Sequence, residues 1–454
     1  MVVVGGGIAG LAAAHRLREL IPDVDIVVLE CSDRPGGKIR TAEFAGSPVE
    51  TGAETFLVRE LGTESAVLGL ARRVGLGDDL LHPAPLPAAL AIGGELQPLP
   101  AGTLMGVPAD PAAVAAVAPV TAEDRDRGSP LLAPGEDVAV GALVRARLGD
   151  DVVDRLVDPL LGGVYAGRAD ELSLAATVPG LHRAAGRQST LAGAVREALA
   201  EAPRPTGAPV FASVHGGLSR LVEAVARHAH AEVRTGTTVR ALDRTDGHWI
   251  LTTGPTPAPE EVEADAVVLA VPAAPAARLL GGEAGDLVGR LEYASVALVT
   301  LALPAGTALP ELSGFLVPAT EGRAVKAATF FTRKWPHLAA AGPVLVRASI
   351  GRRGEEATLQ VSDEALVDRA RADLSFLLGA PLPAPLAARV NRWGGGLPQY
   401  GVGHVDRVAA VRAILPPTLA VAGAAYDGVG IAACVRSGEA AAEAVAKALH
   451  EMGE

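Results

Sequence analysis

The chain has 454 residues, of which 49% are hydrophobic and 3% aromatic, so its length predicts two or three domains around sizeable cores. The formal net charge of −12 argues against nucleic acid as a partner and against a polybasic membrane anchor. The two cysteines, Cys31 and Cys434, have no metal-ligand spacing, and we expect no metal site and a reducing, cytoplasmic compartment.

The start of the chain has the pattern of a dinucleotide-binding turn, with a valine run, a glycine-rich turn and a helical stretch in succession. The motif G-x-G-x-x-G falls on Gly5, Gly7 and Gly10. These glycines would serve a tight turn, close approach to a pyrophosphate and helix packing, respectively. The positive end of the helix, with the backbone of Ile8 and Ala9, would face the phosphates. Because a strand begins so early, we expect no secretory leader, and no apolar run reaches the ~18 residues of a membrane span.

The next strand, Asp25–Leu29, ends in Glu30, about 20 residues after the last glycine, where a carboxylate can accept hydrogen bonds from ribose hydroxyls. A second glycine-rich turn follows with cations on both sides, and its candidate cofactor contacts are Arg34, Gly37 and Lys38. A nicotinamide enzyme needs only the first turn, so the second turn favours a flavin.

Together with Glu50–Glu54, these segments resemble the extended FAD signature of the monoamine oxidase and protoporphyrinogen oxidase superfamily. The resemblance implies that the second turn follows the isoalloxazine–ribityl region and that the backbone of Gly52 and Ala53 meets the flavin. It also implies that the backbone at Val239 holds the adenine. We therefore expect FAD, bound non-covalently, as the cofactor.

The dinucleotide fold resumes later in the chain, with a helix at Ser219–His228, a strand at Thr237–Leu242 and a buried run, Val267–Val271, typical of a central parallel strand. Near the C-terminus, the strand Leu419–Gly423 leads into a third glycine-rich turn and the helix Ala432–Leu449.

That second helix start offers Gly423, Gly430 and Ile431 as cofactor contacts. Placed at the pyrimidine edge of a flavin, its positive end would stabilise the negative charge that reduction creates.

We predict an α/β fold in which a Rossmann-like FAD-binding domain is formed by residues 1–74, 206–275 and 400–454. Residues 75–205 show helical periodicity, as in Val138–Leu148, and predict a helical insertion on the substrate side. Residues 276–399 predict a substrate-binding domain with a mixed or antiparallel sheet. Its predicted strands are Ser295–Leu303, Gly314–Val317, Ala324–Thr332 and Val344–Ile350.

Nearly the whole chain resembles the protoporphyrinogen/coproporphyrinogen oxidases of the haem pathway. The segment 158–167 resembles their substrate-side motif, which implies that Gly163 touches the tetrapyrrole; 398–404 resembles the return to FAD, and 334–336 a turn of the Gram-positive branch. The eukaryotic proteins carry a propionate-binding arginine before a Gly-Gly turn, whereas Gly93-Gly94 follows Ala88-Ala89-Leu90, without arginine. This departure favours the actinobacterial and Firmicute enzymes, which resemble coproporphyrinogen III oxidases.

Coproporphyrinogen carries four propionates, so cations elsewhere must bind them. Lys326 is the first candidate, followed by Arg333 and Lys334. We expect Trp393 to pack on the flavin and assign no catalytic side chain, because aromatisation drives the reaction and hydride passes to flavin N5.

The expected reaction is three successive two-electron oxidations of coproporphyrinogen III, with O2 reduced to hydrogen peroxide. Protoporphyrinogen IX oxidation stays open as an alternative, as do a flavin amine oxidase, a carotenoid desaturase-like enzyme and a non-catalytic FAD-binding scaffold. The low aromatic content and the scarcity of lysine count against an amine oxidase. The sequence also leaves open the oligomeric state, a transient contact with ferrochelatase and a peripheral contact with a membrane surface.

Overall fold

A computed structural model describes residues 1–60, 62–201, 207–339 and 342–453. The domain boundary predicted between residues 205 and 206 lies outside these ranges. Within them, no helix combines the length and the apolar character needed to cross a membrane.

Five parallel strands form the first sheet, in the spatial order β14–β2–β1–β18–β24. They are β1 (Val2–Val4), β2 (Val27–Leu29), β14 (Glu232–Arg234), β18 (Val267–Leu269) and β24 (Leu419–Val421). This is a Rossmann-like sheet, and the predicted central strand is confirmed as β18. Because all five strands run in the same direction, their carboxyl ends bring Gly5, Glu30 and Gly423 to one edge.

Helices cover one face of this sheet: α1 (Ile8–Leu20), α2 (Ala66–Arg73), α9 (Ser219–His228) and α15 (Ile431–Gly453). Their apolar positions recur every three or four residues, so one side of each helix is buried in a shared core. The other face packs on a three-stranded antiparallel sheet and three further helices. These elements are β15 (Ala241–Thr245), β16 (His248–Thr253), β17 (Glu260–Ala264), α10 (Ala273–Leu280), α11 (Gly282–Gly289) and α14 (His404–Ile414).

The predicted strand Thr237–Leu242 is wrong. Strand β14 ends at Arg234 and β15 begins at Ala241, so the chain crosses between two sheets where one strand was expected. The backbone N–H of Thr237 donates to the Glu30 carbonyl and that of Arg240 to the Thr252 carbonyl, and these bonds belong to different sheets. The half-buried Val239 lies in this crossing segment.

The second sheet is mixed and has seven strands, in the order β10–β9–β20–β21–β22–β19–β23. They are β9 (Ala88–Ile92), β10 (Glu95–Pro98), β19 (Tyr293–Leu303), β20 (Gly314–Leu316), β21 (Val325–Phe330), β22 (Val344–Ile350) and β23 (Ala387–Pro398). Helix α13 (Asp363–Leu377) covers one face through a buried core. Residues 88–98, which the sequence placed in the helical insertion, thus supply two strands.

Strand β21 ends earlier than the predicted Thr332. The chain turns at Phe331 into the short helix α12 (Phe331–Lys334), because Phe331 and Trp335 are both buried in a small core that a continuing strand would not reach.

The helical region between residues 140 and 201 has its own core. Its helices are α3 (Val140–Leu148), α4 (Asp150–Val152), α5 (Asp158–Tyr165), α6 (Leu174–Thr177), α7 (Pro179–Ala185) and α8 (Leu191–Glu201). A π-helical turn, Val153–Val157, precedes α5; such turns are frequent at functional sites.

Short strands complete the fold. They are the hairpin β3 (Thr41–Phe44) and β4 (Ser47–Glu50), the triplet β5 (Phe56–Leu57), β8 (Leu80–Leu81) and β13 (Phe211–Val214), and the pairs β6 (Arg59–Glu60) with β7 (Thr63–Glu64) and β11 (Thr103–Leu104) with β12 (Val107–Pro108).

Candidate functional site

The first glycine turn links β1 to α1, and its glycines have different tasks. A Cβ on Gly5, which has φ +106°, would lie 2.6 Å from the Ala270 carbonyl oxygen. A Cβ on Gly10 would lie 2.0 Å from the Gly5 carbonyl oxygen. A Cβ on Gly7 would meet no atom within 4 Å. The chain therefore requires Gly5 and Gly10 for its own packing, whereas Gly7 leaves an open approach to the helix N-terminus. An anionic pyrophosphate fits this opening.

Glu30 lies at the end of β2 and is only 7% exposed. Its Oε2 accepts a hydrogen bond from the Gly6 N–H (2.7 Å), and its Oε1 accepts bonds from the Ser32 N–H (2.8 Å) and hydroxyl (2.7 Å). These bonds hold the carboxylate beside the glycine turn, and Oε2, which accepts one bond, retains a further lone pair for a ribose hydroxyl. The sequence did not single out Ser32, although a serine two residues after an acid is the signal for such a local bond.

The second glycine turn packs directly on the first. The Gly36 N–H donates to the Gly6 carbonyl (2.7 Å), and Gly37 lies against Gly7 with φ +56°. The Arg34 guanidinium donates to the carbonyls of Pro35, Gly37 and Ile39, at 3.1–3.2 Å. Arg34 therefore stabilises the second glycine-rich turn through hydrogen bonds to the backbone of that turn.

Beyond that turn, residues 38–40 pair with residues 51–53. The Ala53 N–H donates to the Lys38 carbonyl (3.0 Å), and a Cβ on Gly52 would lie 2.1 Å from the same oxygen. The Trp393 Nε1–H donates to the Thr51 carbonyl (2.8 Å), with the indole edge against Gly52. Burial lowers the pKa of Lys38. The structure thus brings together four residues that the sequence assigned to the cofactor.

A second helix start lies beside the first. The Gly423 N–H donates to the Ser437 hydroxyl (2.8 Å), and a Cβ on Gly430 would meet no atom within 4 Å. A Cβ on Gly438 would lie 2.0 Å from the Ala9 carbonyl oxygen, so this glycine lets α15 pack closely on α1. Two positive helix ends with open glycines consequently share one edge of the sheet. Sequence reasoning missed Gly438, although a glycine inside a helix signals close packing.

An ionic network lies behind Gly52. The Glu54 carboxylate accepts a hydrogen bond from Trp335 Nε1 (2.9 Å), lies 2.8 Å from Lys334 Nζ and is paired with Arg347. Burial alone would raise the pKa of Glu54, but Lys334 and Arg347 overcome that effect and lower it to about 2. Glu54 is therefore ionised at neutral pH.

The pKa of the neighbouring Glu50 is shifted in the opposite direction. Burial raises the pKa of Glu50 to about 7, although its Oε1 accepts bonds from the Leu218 N–H (2.6 Å) and the Thr41 hydroxyl (3.0 Å). Its Oε2 is buried and has no partner among the residues described. This network could not be predicted from the sequence, because its members come from distant segments.

On the substrate side, Gly163 and Lys326 lie close together. Gly163 is exposed on α5, whereas Lys326 is 6% exposed and its Nζ donates to the Gly162 carbonyl (2.9 Å). Burial, with a smaller contribution from Arg352, lowers the pKa of Lys326 to about 7. Lys326 thus lies behind the helix that presents Gly163, and its ammonium is engaged with that helix.

The other two candidate cations bind acids elsewhere. Arg333 lies 2.8 Å from Glu311, and Lys334 belongs to the network of Glu54.

The ring of Tyr400 stacks on His404 (4.3 Å between centroids) and meets Tyr165 edge-on (5.6 Å), so these aromatic residues act in packing.

Comparison with known proteins agrees with this geometry. The model of the flavin containing amine oxidoreductase family matches residues 8–446. Coproporphyrinogen III oxidase of Mycobacterium tuberculosis is 39% identical over 98% of this chain and 97% of its own length. The corresponding protein of Bacillus subtilis is 30% identical over 97% and 96%. A crystal structure of a candidate protoporphyrinogen oxidase from Exiguobacterium sp. 255-15 superposes with a TM-score of 0.84, at 33% identity and 98% coverage of both chains.

Proposed function

This chain belongs to the flavin containing amine oxidoreductase family and binds FAD, and we propose that it oxidises coproporphyrinogen III to coproporphyrin III in haem biosynthesis. The observation that carries this proposal is the 39% identity, over nearly the full length of both chains, with coproporphyrinogen III oxidase of Mycobacterium tuberculosis. The substrate loses six hydrogen atoms in three two-electron steps, while three O2 become three H2O2.

The residues that would hold the cofactor lie along the edge of the parallel sheet. We propose that the two helix starts at Gly7 and Gly430 stabilise the negative charge of the pyrophosphate and of the reduced flavin, respectively. Glu30 would hold the ribose, and the backbone at Val239 the adenine. The remaining proposed contacts are Gly5, Ile8, Ala9, Gly10, Arg34, Gly37, Lys38, Gly52, Ala53, Trp393, Gly423 and Ile431. When bound, FAD supplies the hydride acceptor and passes the electrons to O2.

We propose that the substrate lies against the exposed surface of α5 at Gly163, beside the seven-stranded sheet on which this helix packs. We assign binding of the tetrapyrrole to the domain of residues 276–399 together with the helical segment 75–205. The exposed Gly163 presents a flat backbone surface without a side chain, and Lys326 fixes the end of its helix from behind. The main role of this surface would be to orient a meso carbon toward the flavin, since alignment alone can lower a barrier by several kcal/mol.

We add to the proposal a compartment that the sequence predicts and a partner that the sequence leaves open. The protein would work in the cytoplasm, and its product would pass to a chelatase that inserts the metal, through a transient contact with ferrochelatase. Co-purification of the two proteins at low salt would test that contact.

The decisive experiment is aerobic turnover of the FAD-loaded protein with coproporphyrinogen III and protoporphyrinogen IX in parallel, monitored by porphyrin fluorescence and peroxide. We expect faster formation of coproporphyrin and one peroxide for each two electrons removed. Faster formation of protoporphyrin would reassign the substrate. An FAD-loaded protein that makes neither porphyrin would contradict the proposal.

A further inference from the structure

Three cations lie on the face of the seven-stranded sheet that meets the segment Glu50–Glu54. Arg347 on β22 and Arg389 on β23 are both paired with Thr300 of the strand between them, so their side chains point to the same face. Lys334 joins them from α12 by its contact with Glu54. We call Lys334, Arg347 and Arg389 the cation cluster.

The cation cluster is not balanced by acids. Glu54 pairs with Lys334 and Arg347. Arg389 has no ion-pair partner in the part of the chain that the structure describes, and its buried Nη1 also lacks a hydrogen bond there. Its guanidinium instead lies 5.3 Å from the centre of the Phe44 ring. Glu54 and the neighbouring Glu50 supply at most two negative charges against the three positive charges of the cluster, so positive charge is in excess.

This charge lies close to the backbone proposed to contact the flavin. Arg347 Nη1 donates to the carbonyls of Glu50 (3.3 Å) and Gly52 (3.5 Å). The side chains of Arg347 and Lys334 are 12% and 17% exposed, so water screens them little. A charge at this depth interacts over several ångströms far more strongly than it would in water.

We propose that the cation cluster raises the reduction potential of bound FAD. Reduction adds two electrons and one proton to the flavin and leaves one additional negative charge, which buried cations stabilise. Glu54 opposes the effect and limits it. The inference rests on the proposed position of the flavin against Gly52 and Ala53, but it does not depend on the identity of the substrate.

The test is an equilibrium between the bound flavin and a redox dye of known potential, both reduced slowly under anaerobic conditions. The measured quantity is the ratio of reduced to oxidised flavin at a fixed dye ratio, read from the flavin spectrum. Arg347→Met should lower this ratio roughly tenfold, as expected for loss of one charge several ångströms away in a poorly screened site. Arg347→Lys keeps the positive charge and should leave the ratio of reduced to oxidised flavin close to that of the native chain.

The opposite sign for Glu54→Gln distinguishes electrostatics from structural damage. Removing this anion leaves the cations uncompensated, so the ratio should rise. Arg392→Gln is the matched control, because Arg392 lies on the other face of β23 and pairs with Asp363; it should leave the ratio unchanged.

If Arg347→Met or Glu54→Gln yields no FAD-loaded protein, the more exposed Lys334→Met gives the same test and should lower the ratio. Unchanged ratios, or shifts of the same sign in the cation and anion variants, would overturn the inference. Because no porphyrinogen is used, that result would leave the proposed function standing, and absence of turnover would likewise leave this inference intact.

Discussion

Two regions meet at the proposed flavin site, and they are built in opposite ways. The glycine wall, formed by the turn Gly5–Gly10 and the turn before α15 that ends at Gly430, consists of backbone at two helix starts. The ionic wall consists of buried and half-buried charged side chains on three separate segments: Glu50, Glu54, Lys334 and Arg347. The glycine wall depends on the absence of side chains, whereas the ionic wall depends on exact charges.

The largest effects should come from the glycine wall, and two of its glycines should fail differently. Gly10→Ala places a Cβ 2.0 Å from the Gly5 carbonyl oxygen, so the free energy of unfolding should fall by about 3 kcal/mol or more. Gly7→Val meets no protein atom at its Cβ and should fold normally, but it would occupy the space of the pyrophosphate and give flavin-free protein.

Denaturant unfolding and the FAD-to-protein ratio separate these outcomes. Gly180→Ala is the matched control, because a Cβ there has its nearest neighbour at 3.9 Å, and it should be neutral or slightly stabilising. A Gly7→Val protein with a full complement of FAD would remove this turn from the cofactor site.

The ionic wall should respond to pH through Glu50. Its carboxyl is buried and its folded-state pKa of about 7 lies above the ordinary value of 4.5. The folded state therefore retains a proton that the unfolded state has lost, so stability from this group is complete below the unfolded pKa and is lost as pH rises toward 7. The loss could reach about 3 kcal/mol.

Unfolding free energies of the native chain and of Glu50→Gln, measured from pH 4.5 to 8, isolate this contribution. Other groups titrate in the same window: burial lowers the pKa of His404 to about 4, and its slope has the opposite sign. The difference between the two proteins cancels such contributions. It should shift in favour of Glu50→Gln as pH rises, and a difference independent of pH would show that Glu50 does not titrate in this window.

The contrast between the walls also explains what the sequence could predict. The glycine wall is encoded locally: Gly5, Gly7 and Gly10 follow a strand and precede a helix, and this context suffices to place them. Glu54 and Arg347 are far apart in the chain, and only the packing of β22 against the turn at Gly52 brings them together. No periodic pattern in the sequence predicts such a contact between distant segments.

The same limit applies to single residues. Its place in the substrate sheet makes Lys326 the first candidate for a propionate contact, but only the packing of β21 against α5 shows that it is buried and bonded to the Gly162 carbonyl. The strand predicted at Thr237–Leu242 failed because β-propensity does not show where a chain passes from one sheet to the next.

The smallest effect should come from Trp393, which contacts the segment Glu50–Glu54 through its bond to the Thr51 carbonyl. Trp393→Phe removes one half-buried hydrogen bond and should lower the free energy of unfolding by about 1 kcal/mol. Trp249→Phe is the matched control, since Trp249 Nε1 donates to the Thr418 hydroxyl (3.0 Å) in a different sheet. Both variants should lose similar stability, but only Trp393→Phe should weaken FAD binding and shift the flavin spectrum, as measured by titration of the apoprotein. Identical flavin behaviour in the two variants would mean that Trp393 only holds the sheet against the turn at Gly52 and that its indole does not touch the cofactor.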